Sequence, residues 1–279
     1  MGGHCKNSSD GRTGVQGKLQ DRVAIVYGAG SVGEGWGNGK ASAVAYARAG
    51  AKVVCVDMNE PAAQATAEII KGEGGEAIAV RANVTGLDEV RAATDAAVKA
   101  FGRLDILHNN VGITAAGGPV EASEESWDRV MNVNVKSMFF TCKCALPIMV
   151  EQGRGAIVNI SSLAGIRWTG YNYSSYYASK AAVINFTRGI AIEYAARGIR
   201  ANSILPGLMD TPHIYQQITT FYASVEEMVQ ARHKLSPTGR MGTAWDVANA
   251  AVFLASDDAA YINGVELPVD GGLHVKAGV

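Results

Sequence analysis

Tyr176 and Lys180 stand four positions apart in Tyr176-Tyr-Ala-Ser-Lys180. On an α-helix that spacing places both side chains on one face, one turn apart. A phenol with a reference pKa of roughly 10 is a poor base at neutral pH. A neighbouring ammonium favours the phenolate and lowers that value. A drop of roughly two to three pH units corresponds to about 3–4 kcal/mol. A close lysine and a cationic ring in a dry site are able to supply it. The pair is thus a candidate acid/base for exchanging a proton with an alcohol or carbonyl oxygen. The spacing also arises often by chance, so its weight depends on its surroundings.

A second group is suited to an anion. Gly28-Ala-Gly30-Ser-Val-Gly33-Glu-Gly35-Trp-Gly37-Asn38-Gly39 follows the apolar run Arg22–Tyr27 and precedes a helical stretch. Glycines let backbone N–H groups approach a pyrophosphate, and the helix N-terminus adds partial positive charge. Gly28, Gly30 and Gly33 satisfy G-x-G-x-x-G, a match that gains meaning from the strand before it and the helix after it. Asp57 closes the next apolar run. An acid there accepts hydrogen bonds from both ribose hydroxyls of an adenosine and repels a 2′-phosphate. Neither Met58 nor Asn59 offers that phosphate a cation, so NAD is expected over NADP. A solvated strand-end aspartate is the alternative reading. No metal site is expected, because Cys5, Cys55, Cys142 and Cys144 are scattered and no histidine cluster accompanies them. The same cysteine usage points to a reducing, cytoplasmic setting.

The elements that must hold these groups alternate along the chain. Strands are expected at 22–27, 52–57, 76–80, 104–108, 156–160, 199–205 and 265–269. Helices are expected at 40–49, 61–71, 87–101, 123 to about 145, 174–196 and 243–255. The strands are nearly continuous apolar runs, which implies burial on both faces and a parallel sheet covered by helices. The fold class is therefore α/β: a single domain built on a parallel sheet of seven strands, with helices on both faces. Ligands bind beyond the carboxyl ends of such strands, where the glycine turn and Asp57 lie. Residues 1–17 read as a flexible tail without the apolar core of a signal peptide, and residues 18–279 as one domain. Gly2 suggests myristoylation, but Lys6 stands where Ser or Thr is needed.

Several further motifs occur in order: Asn109-Asn-Val-Gly112, Asn134 in Val133-Asn-Val135, Ile160-Ser-Ser-Leu-Ala-Gly165, Pro206-Gly207 with Thr211, and Asp270-Gly-Gly272. With Tyr176 and Lys180 they strongly resemble the short-chain dehydrogenase/reductase family over roughly residues 18–273. The resemblance implies that Tyr176 is the acid/base and that Ser162 polarises the substrate oxygen. It implies that Lys180 tunes Tyr176 and binds the nicotinamide ribose, and that Asn134 holds a proton-relay water. Ser161 is the rival to Ser162, and Tyr177 is read as packing. For the cofactor, the resemblance places Asn83 and Val84 at the adenine, Asn110 near the adenosine ribose with Gly112 close by, and Pro206, Gly207, Met209 and Thr211 at the carboxamide. Asn83, Val111 and Tyr27 depart from the residues usual at those positions. Gly28 and Asp57 are 29 positions apart, more than the family spacing, which implies an insertion around Val32–Trp36. Aligned from the helix side, Gly37 and Gly39 become the second and third pattern glycines; aligned from the strand side, Gly30 and Gly33 do. The helix side is preferred because a phosphate site needs the helix N-terminus. The family resemblance also implies a single-domain Rossmann fold with a seven-stranded, doubly wound parallel sheet, and a homotetramer.

Two segments are expected to wall the substrate: 166–173 and a lid over about 212–236. They carry Trp168, Tyr171, Tyr173, Tyr215, Phe221 and Tyr222, which suit an apolar or cyclic secondary alcohol or ketone. An oligomer interface or core cover is the competing reading of these aromatics. His213 and His233 are candidates for substrate contact but read first as surface residues, and His108 reads as structural rather than catalytic; Arg167 is a candidate for an acidic substrate group but reads first as solvated or salt-bridged. With 25 basic and 26 acidic residues, and a net charge of −1, no electrostatic footprint for nucleic acid or an anionic membrane is present. No apolar run reaches the ~18–20 residues of a membrane span. The expected function is hydride transfer between NAD(H) and an alcohol or ketone. A sugar-nucleotide epimerase or dehydratase, and a non-catalytic NAD-sensing protein, are the alternatives. The former is disfavoured because only 67 residues follow Pro212.

Overall fold

The computed structural model describes residues 17–277; apart from Gly17, the expected tail lies outside them, as does Cys5. The elements are β1 (Val23–Tyr27), α1 (Asn38–Arg48), β2 (Lys52–Asp57), α2 (Glu60–Gly72), β3 (Ala77–Arg81), α3 (Leu87–Phe101) and β4 (Ile106–Asn109). They continue as α4 (Glu124–Met131), α5 (Ser137–Gln152), β5 (Gly155–Ile160), α6 (Ser174–Glu193), β6 (Ile199–Pro206) and β7 (Met209–Asp210). The last are α7 (Pro212–Gln217), α8 (Val225–Leu235), β8 (Gly242–Thr243), α9 (Ala244–Ala255) and β9 (Glu266–Val269).

Seven strands pair in parallel in the order β3-β2-β1-β4-β5-β6-β9. Side chains of a strand alternate between faces. Ala24 and Val26 of β1 join one buried layer with α1, α2 and α9, while Ile25 and Tyr27 join the other with α3, α5 and α6. The strand order reverses at the β1/β4 boundary, which opens a crevice at the carboxyl ends. Asp57 is the last residue of β2, and Gly28, Asn110, Ser161 and Gly207 stand just beyond the ends of their strands there.

Three elements differ from expectation. The helix expected from 123 to about 145 is a rod in two parts joined by a π-helical turn, Asn132–Lys136, and it runs on to Gln152. Ser123 caps its start by accepting from the Ser126 N–H at 3.2 Å. Pro147 stays inside it on the exposed side. Gly153, at φ 67°, ends it. By length and hydropathy the 29-residue rod Glu124–Gln152 could cross a membrane, contrary to the sequence reading; yet Cys142, Ala145, Leu146 and Met149 are packed in the core. The segment expected as a lid contains two helices, α7 and α8, not foreseen in the sequence. Its two feet are tied together by a two-residue parallel ladder, Met209 against Gly242 and Asp210 against Thr243.

Candidate active site

One cavity of about 920 Å³ runs along the carboxyl ends of the strands. Gly28, Gly30, Gly37, Asn38, Gly39 and Asp57 line one end. Helix α1 opens directly after Gly37, whose backbone is extended, and no side chain caps it. Its first N–H groups are therefore left for an anion. A Cβ on Gly39 would lie 1.9 Å from the Gly28 carbonyl oxygen, and one on Gly30 would lie 2.7 Å from Asp57 Oδ2. Both positions need glycine so that the loop, α1 and β2 can close on one another. Gly33 and Gly35 instead approach Pro212 of α7, each at 3.6 Å. The inserted segment thus packs on the lid, where Gln216 Nε2 donates to the Val32 carbonyl at 2.6 Å. Trp36 is held against Trp245, with ring centroids 4.7 Å apart.

Asp57 Oδ2 accepts from the Gly30 N–H at 3.0 Å, and Oδ1 from the Asn59 N–H at 2.9 Å. The acid therefore braces the glycine turn while facing the cavity. Asn83, Val84, Asn110 and Gly112 line the next stretch. Asn83 Oδ1 is taken by the Thr85 N–H and hydroxyl, and Asn110 Nδ2 donates to the Gly28 carbonyl at 3.2 Å. A Cβ on Gly112 would meet Lys180 Nζ at 3.1 Å. Pro206, Gly207, Met209 and Thr211 line the cavity beyond. An elongated cleft with a bare helix N-terminus, a glycine cradle and an acid at the strand end suits a nicotinamide dinucleotide. Tyr27 plays no part in it: its hydroxyl contacts the Val90 carbonyl and Thr94 in the opposite core layer.

Tyr176, Lys180, Ser162 and Ser161 line the middle of the cavity. Tyr176 and Lys180 share a face of α6, and Lys180 Nζ lies 5.6 Å from the Tyr176 ring centroid. Burial raises the Tyr176 pKa, and a hydrogen bond with Ser162 opposes the rise. Lys180 Nζ donates to the Ile160 carbonyl at 3.0 Å, and burial pushes its pKa down to about 8. Ser161 Oγ donates to the Lys180 carbonyl at 2.8 Å, whereas Ser162 Oγ accepts from the Ala164 N–H at 3.1 Å and meets Tyr176. Asn134 is buried in the π-turn. Its Oδ1 accepts from the Ile113 N–H, and its Nδ2 donates to the Ile113 carbonyl and to Ser179 Oγ. A π-turn shifts the backbone bonding register, a feature frequent at functional sites.

At the far end stand Thr114, Trp168, Tyr171, Tyr173, His213 and Arg232. Tyr171 and Tyr173 stack at 5.4 Å, and the edge of Tyr173 meets Tyr176 at 6.2 Å. Tyr177 is a brace: its hydroxyl accepts from the Thr169 N–H and donates to the Tyr171 carbonyl. Of the six aromatics expected at the substrate, Tyr215, Phe221 and Tyr222 do not line the cavity. Tyr215 borders a smaller groove, and Tyr222 packs within the lid. His213, read as a surface residue, lines the cavity; burial and then the Lys180 charge lower its pKa. His233 Nδ1 accepts from the Met241 N–H at 2.9 Å. His108 is buried, bonded to Tyr46 at 2.9 Å, and depressed to about 3 by burial. Arg167 faces the cavity rather than solvent or a carboxylate, donating to the Leu273 carbonyl. Arg232 and Thr114 were not singled out in the sequence, since nothing in their local pattern distinguishes them.

Residues 33–274 match the family described as enoyl-(acyl carrier protein) reductase. The chain is 42% identical over 259 residues to a 2,5-dichloro-2,5-cyclohexadiene-1,4-diol dehydrogenase of Sphingobium indicum, covering 92% of this chain and 98% of the relative. It is 38% identical over 260 residues to cyclohexanol dehydrogenase of Acinetobacter sp. (strain SE19), covering 93% and 97%. Among solved structures, a short-chain dehydrogenase/reductase from Burkholderia xenovorans superposes with a TM-score of 0.88 at 42% identity, covering 94% of this chain and all of that one. A parallel seven-stranded sheet, a dinucleotide-shaped cleft and a Tyr–Lys pair one helical turn apart thus coincide with near full-length similarity to alcohol dehydrogenases, and the chain belongs to the short-chain dehydrogenase/reductase family of nicotinamide-dependent oxidoreductases acting on alcohols.

Proposed function

We propose that the chain interconverts an apolar, cyclic secondary alcohol and its ketone with NAD(H) as cofactor. The observation that carries this is Tyr176, hydrogen-bonded to Ser162 and beside Lys180, at the junction of the glycine-lined and aromatic-lined halves of one cavity. The nicotinamide, when bound, supplies or accepts the hydride. Tyr176 takes the alcohol proton in oxidation and returns it in reduction. Ser162 donates to the substrate oxygen and holds it against the phenol. Lys180 holds the nicotinamide ribose, and Asn134 keeps the floor under Lys180 in place through Ile113 and Ser179 while positioning a relay water. Gly28, Gly30, Gly37, Asn38 and Gly39 cradle the pyrophosphate, and Asp57 accepts from the adenosine ribose hydroxyls. Asn83 and Val84 flank the adenine, Asn110 and Gly112 lie along the ribose side, and Pro206, Gly207, Met209 and Thr211 take the carboxamide.

NAD over NADP is supported by Asp57 facing the cavity with exposed Met58 beside it and no cation at either neighbour. A cyclic substrate is supported by the stacked walls Tyr171 and Tyr173, and by relatives named for cyclic alcohols. Residues 212–236 act as the lid over this end of a one-domain catalyst. We place the active form as a cytoplasmic homotetramer, for which the exposed aromatic face of the α4–α5 rod is the support.

The test is a panel of cyclic alcohols and ketones with NAD(H), followed by NADH absorbance. Turnover of cyclic secondary alcohols is expected, and Tyr176→Phe should lower it by about 100- to 10,000-fold while calorimetry shows NADH still binding. Near-normal turnover in that variant would remove the assigned base.

A further inference from the structure

Arg232 projects from the lid helix α8, with 4% of its surface exposed, and lines the cavity. A guanidinium is always a cation in proteins, and arginine is almost never fully buried without a counter-charge. None is present here: among the described residues no carboxylate lies within 4.0 Å of Arg232. Its side chain makes one hydrogen bond, from Nε to Met241 Sδ at 3.3 Å. The terminal Nη groups, the two prongs that fit a carboxylate, have no partner. Its phenolic neighbours do not compensate. Tyr215 donates to Asp210 at 2.8 Å, and Tyr222 pairs with Tyr171 at 2.8 Å.

The charge around it points the same way. Among the described residues lining the cavity, Asp57 is the only carboxylate, and it belongs to the adenosine end. Arg167, Arg232 and Lys276 line the remainder without an ion pair. Arg167 Nη1 donates to the Leu273 carbonyl and Lys276 Nζ to the Leu235 carbonyl, so Arg232 is the one of the three whose terminal nitrogens make no hydrogen bond. The side of the cavity is also defined. The Arg232 charge acts on Tyr173, whose ring edge meets Tyr176, so the guanidinium belongs to the aromatic, substrate half.

Building on the proposed oxidoreduction, we infer that Arg232 binds a carboxylate carried by the substrate, so that the ligand is a cyclic secondary alcohol or ketone with an anionic substituent. The ring packs against Trp168, Tyr171 and Tyr173, the carbinol meets Tyr176 and Ser162, and the carboxylate seats on the Nη groups of α8. Charge pairing in a water-poor cavity then also fastens the lid over the reacting atoms, because Arg232 rides on that lid.

The experiment titrates the NADH-saturated chain calorimetrically with cyclohexanecarboxylate and with its neutral isostere cyclohexanecarboxamide. The carboxylate is expected to bind about 10- to 100-fold more tightly, the worth of hydrogen bonds to a charged group. Arg232→Met, which keeps the apolar stem, should bring the ratio toward 1, and Arg232→Lys should restore part of it. Reading a ratio cancels any general loss of affinity in a variant. Equal binding of the two probes by the wild-type chain overturns the inference without reference to any variant, and a ratio retained in Arg232→Met overturns it as well. A chain that prefers the carboxylate but produces NADH from no alcohol rejects the proposed oxidoreduction and leaves the anion site standing. A chain that oxidises alcohols and binds both probes equally rejects the anion site alone.

Discussion

At the level of single residues, the reacting phenol is governed by two opposing influences. Burial raises the Tyr176 pKa, and the Ser162 hydrogen bond lowers it. Oxidation of an alcohol needs Tyr176 as phenolate, so kcat/KM for oxidation rises with pH through its ionisation and levels off above it. Ser162→Ala removes the lowering influence, so the rising limb should move to higher pH by roughly one unit, the worth of one such bond. A pH–rate profile of the variant beside the wild type reads this directly; an unmoved or acid-shifted limb would separate Ser162 from the ionisation. Asp57 sets the second expectation. Its carboxylate faces the adenosine end, and Met58 beside it is 67% exposed. Replacing Asp57 by Ala and Met58 by Arg removes the repulsion of a 2′-phosphate and adds a cation for it. The ratio of kcat/KM for NAD to that for NADP should fall at least tenfold, and an unchanged ratio would count against the ribose contact. Tyr176, Lys180 and Asp57 were legible in the sequence because a helical repeat and a strand end placed them and the ordered motifs around them gave that placement its weight. Arg232 was not legible. It is one base beside His233 and Lys234 on a polar helix, and only the packing of α8 over the cavity separates it from a solvated face.

At the level of elements, the parallel sheet was readable because β1 and β5 are nearly unbroken apolar runs, buried along their length. The lid helices were not. In α8 only Met228 and Arg232 are buried, too sparse a pattern to signal a core-facing helix. The π-turn was hidden for a different reason: a change in hydrogen-bond register leaves no mark in composition. It carries Asn134 inward to hold both backbone groups of Ile113, directly after the Asn109–Gly112 strand end. The glycine turn shows how the insertion was absorbed. The glycines nearest the helix remain at the cleft, while Gly33 and Gly35 serve the contact with α7. Gly39 is the tightest point, since its Cβ would sit 1.9 Å from a backbone oxygen that cannot rotate away. Gly39→Ala must push α1 off the end of β1, displacing the helix N-terminus from the phosphates. NADH affinity measured by fluorescence titration should weaken at least tenfold, with a lowered Tm, while Gly33→Ala, 3.6 Å from Pro212, should leave affinity within about twofold. Equal effects at the two glycines would invert the assignment of the cradle.

At the level of the whole molecule, the two faces of the sheet are not equally finished. On the α4–α5 rod, Trp127 is 39% exposed and Phe139 48%. Lys136 and Lys143 lie over Phe140 and Phe139 at 5.6 and 5.8 Å; Phe140 reaches back to the core, and Phe139 leans on it at 5.8 Å while staying half in water. Large aromatics left in water at one place mark an association surface, and a surface that pairs with its own copy about a twofold axis gives closed, symmetric assemblies. The rod also bears on catalysis, because its π-turn holds Asn134 under Lys180. Burying the rod between subunits would stiffen the floor of the active site. For the proposed homotetramer, in which this face is one of the contacts, light scattering coupled to size exclusion should give a mass near four times the 29.2 kDa chain. Phe139→Glu puts a charge into that contact, whose desolvation without a partner costs several kcal/mol; the mass should fall to that of dimers or single chains, and kcat should fall with it although no cavity residue has changed. A wild-type chain that elutes as a monomer, or a variant that keeps the full assembled mass, would move the interface elsewhere and detach the rod from the chemistry.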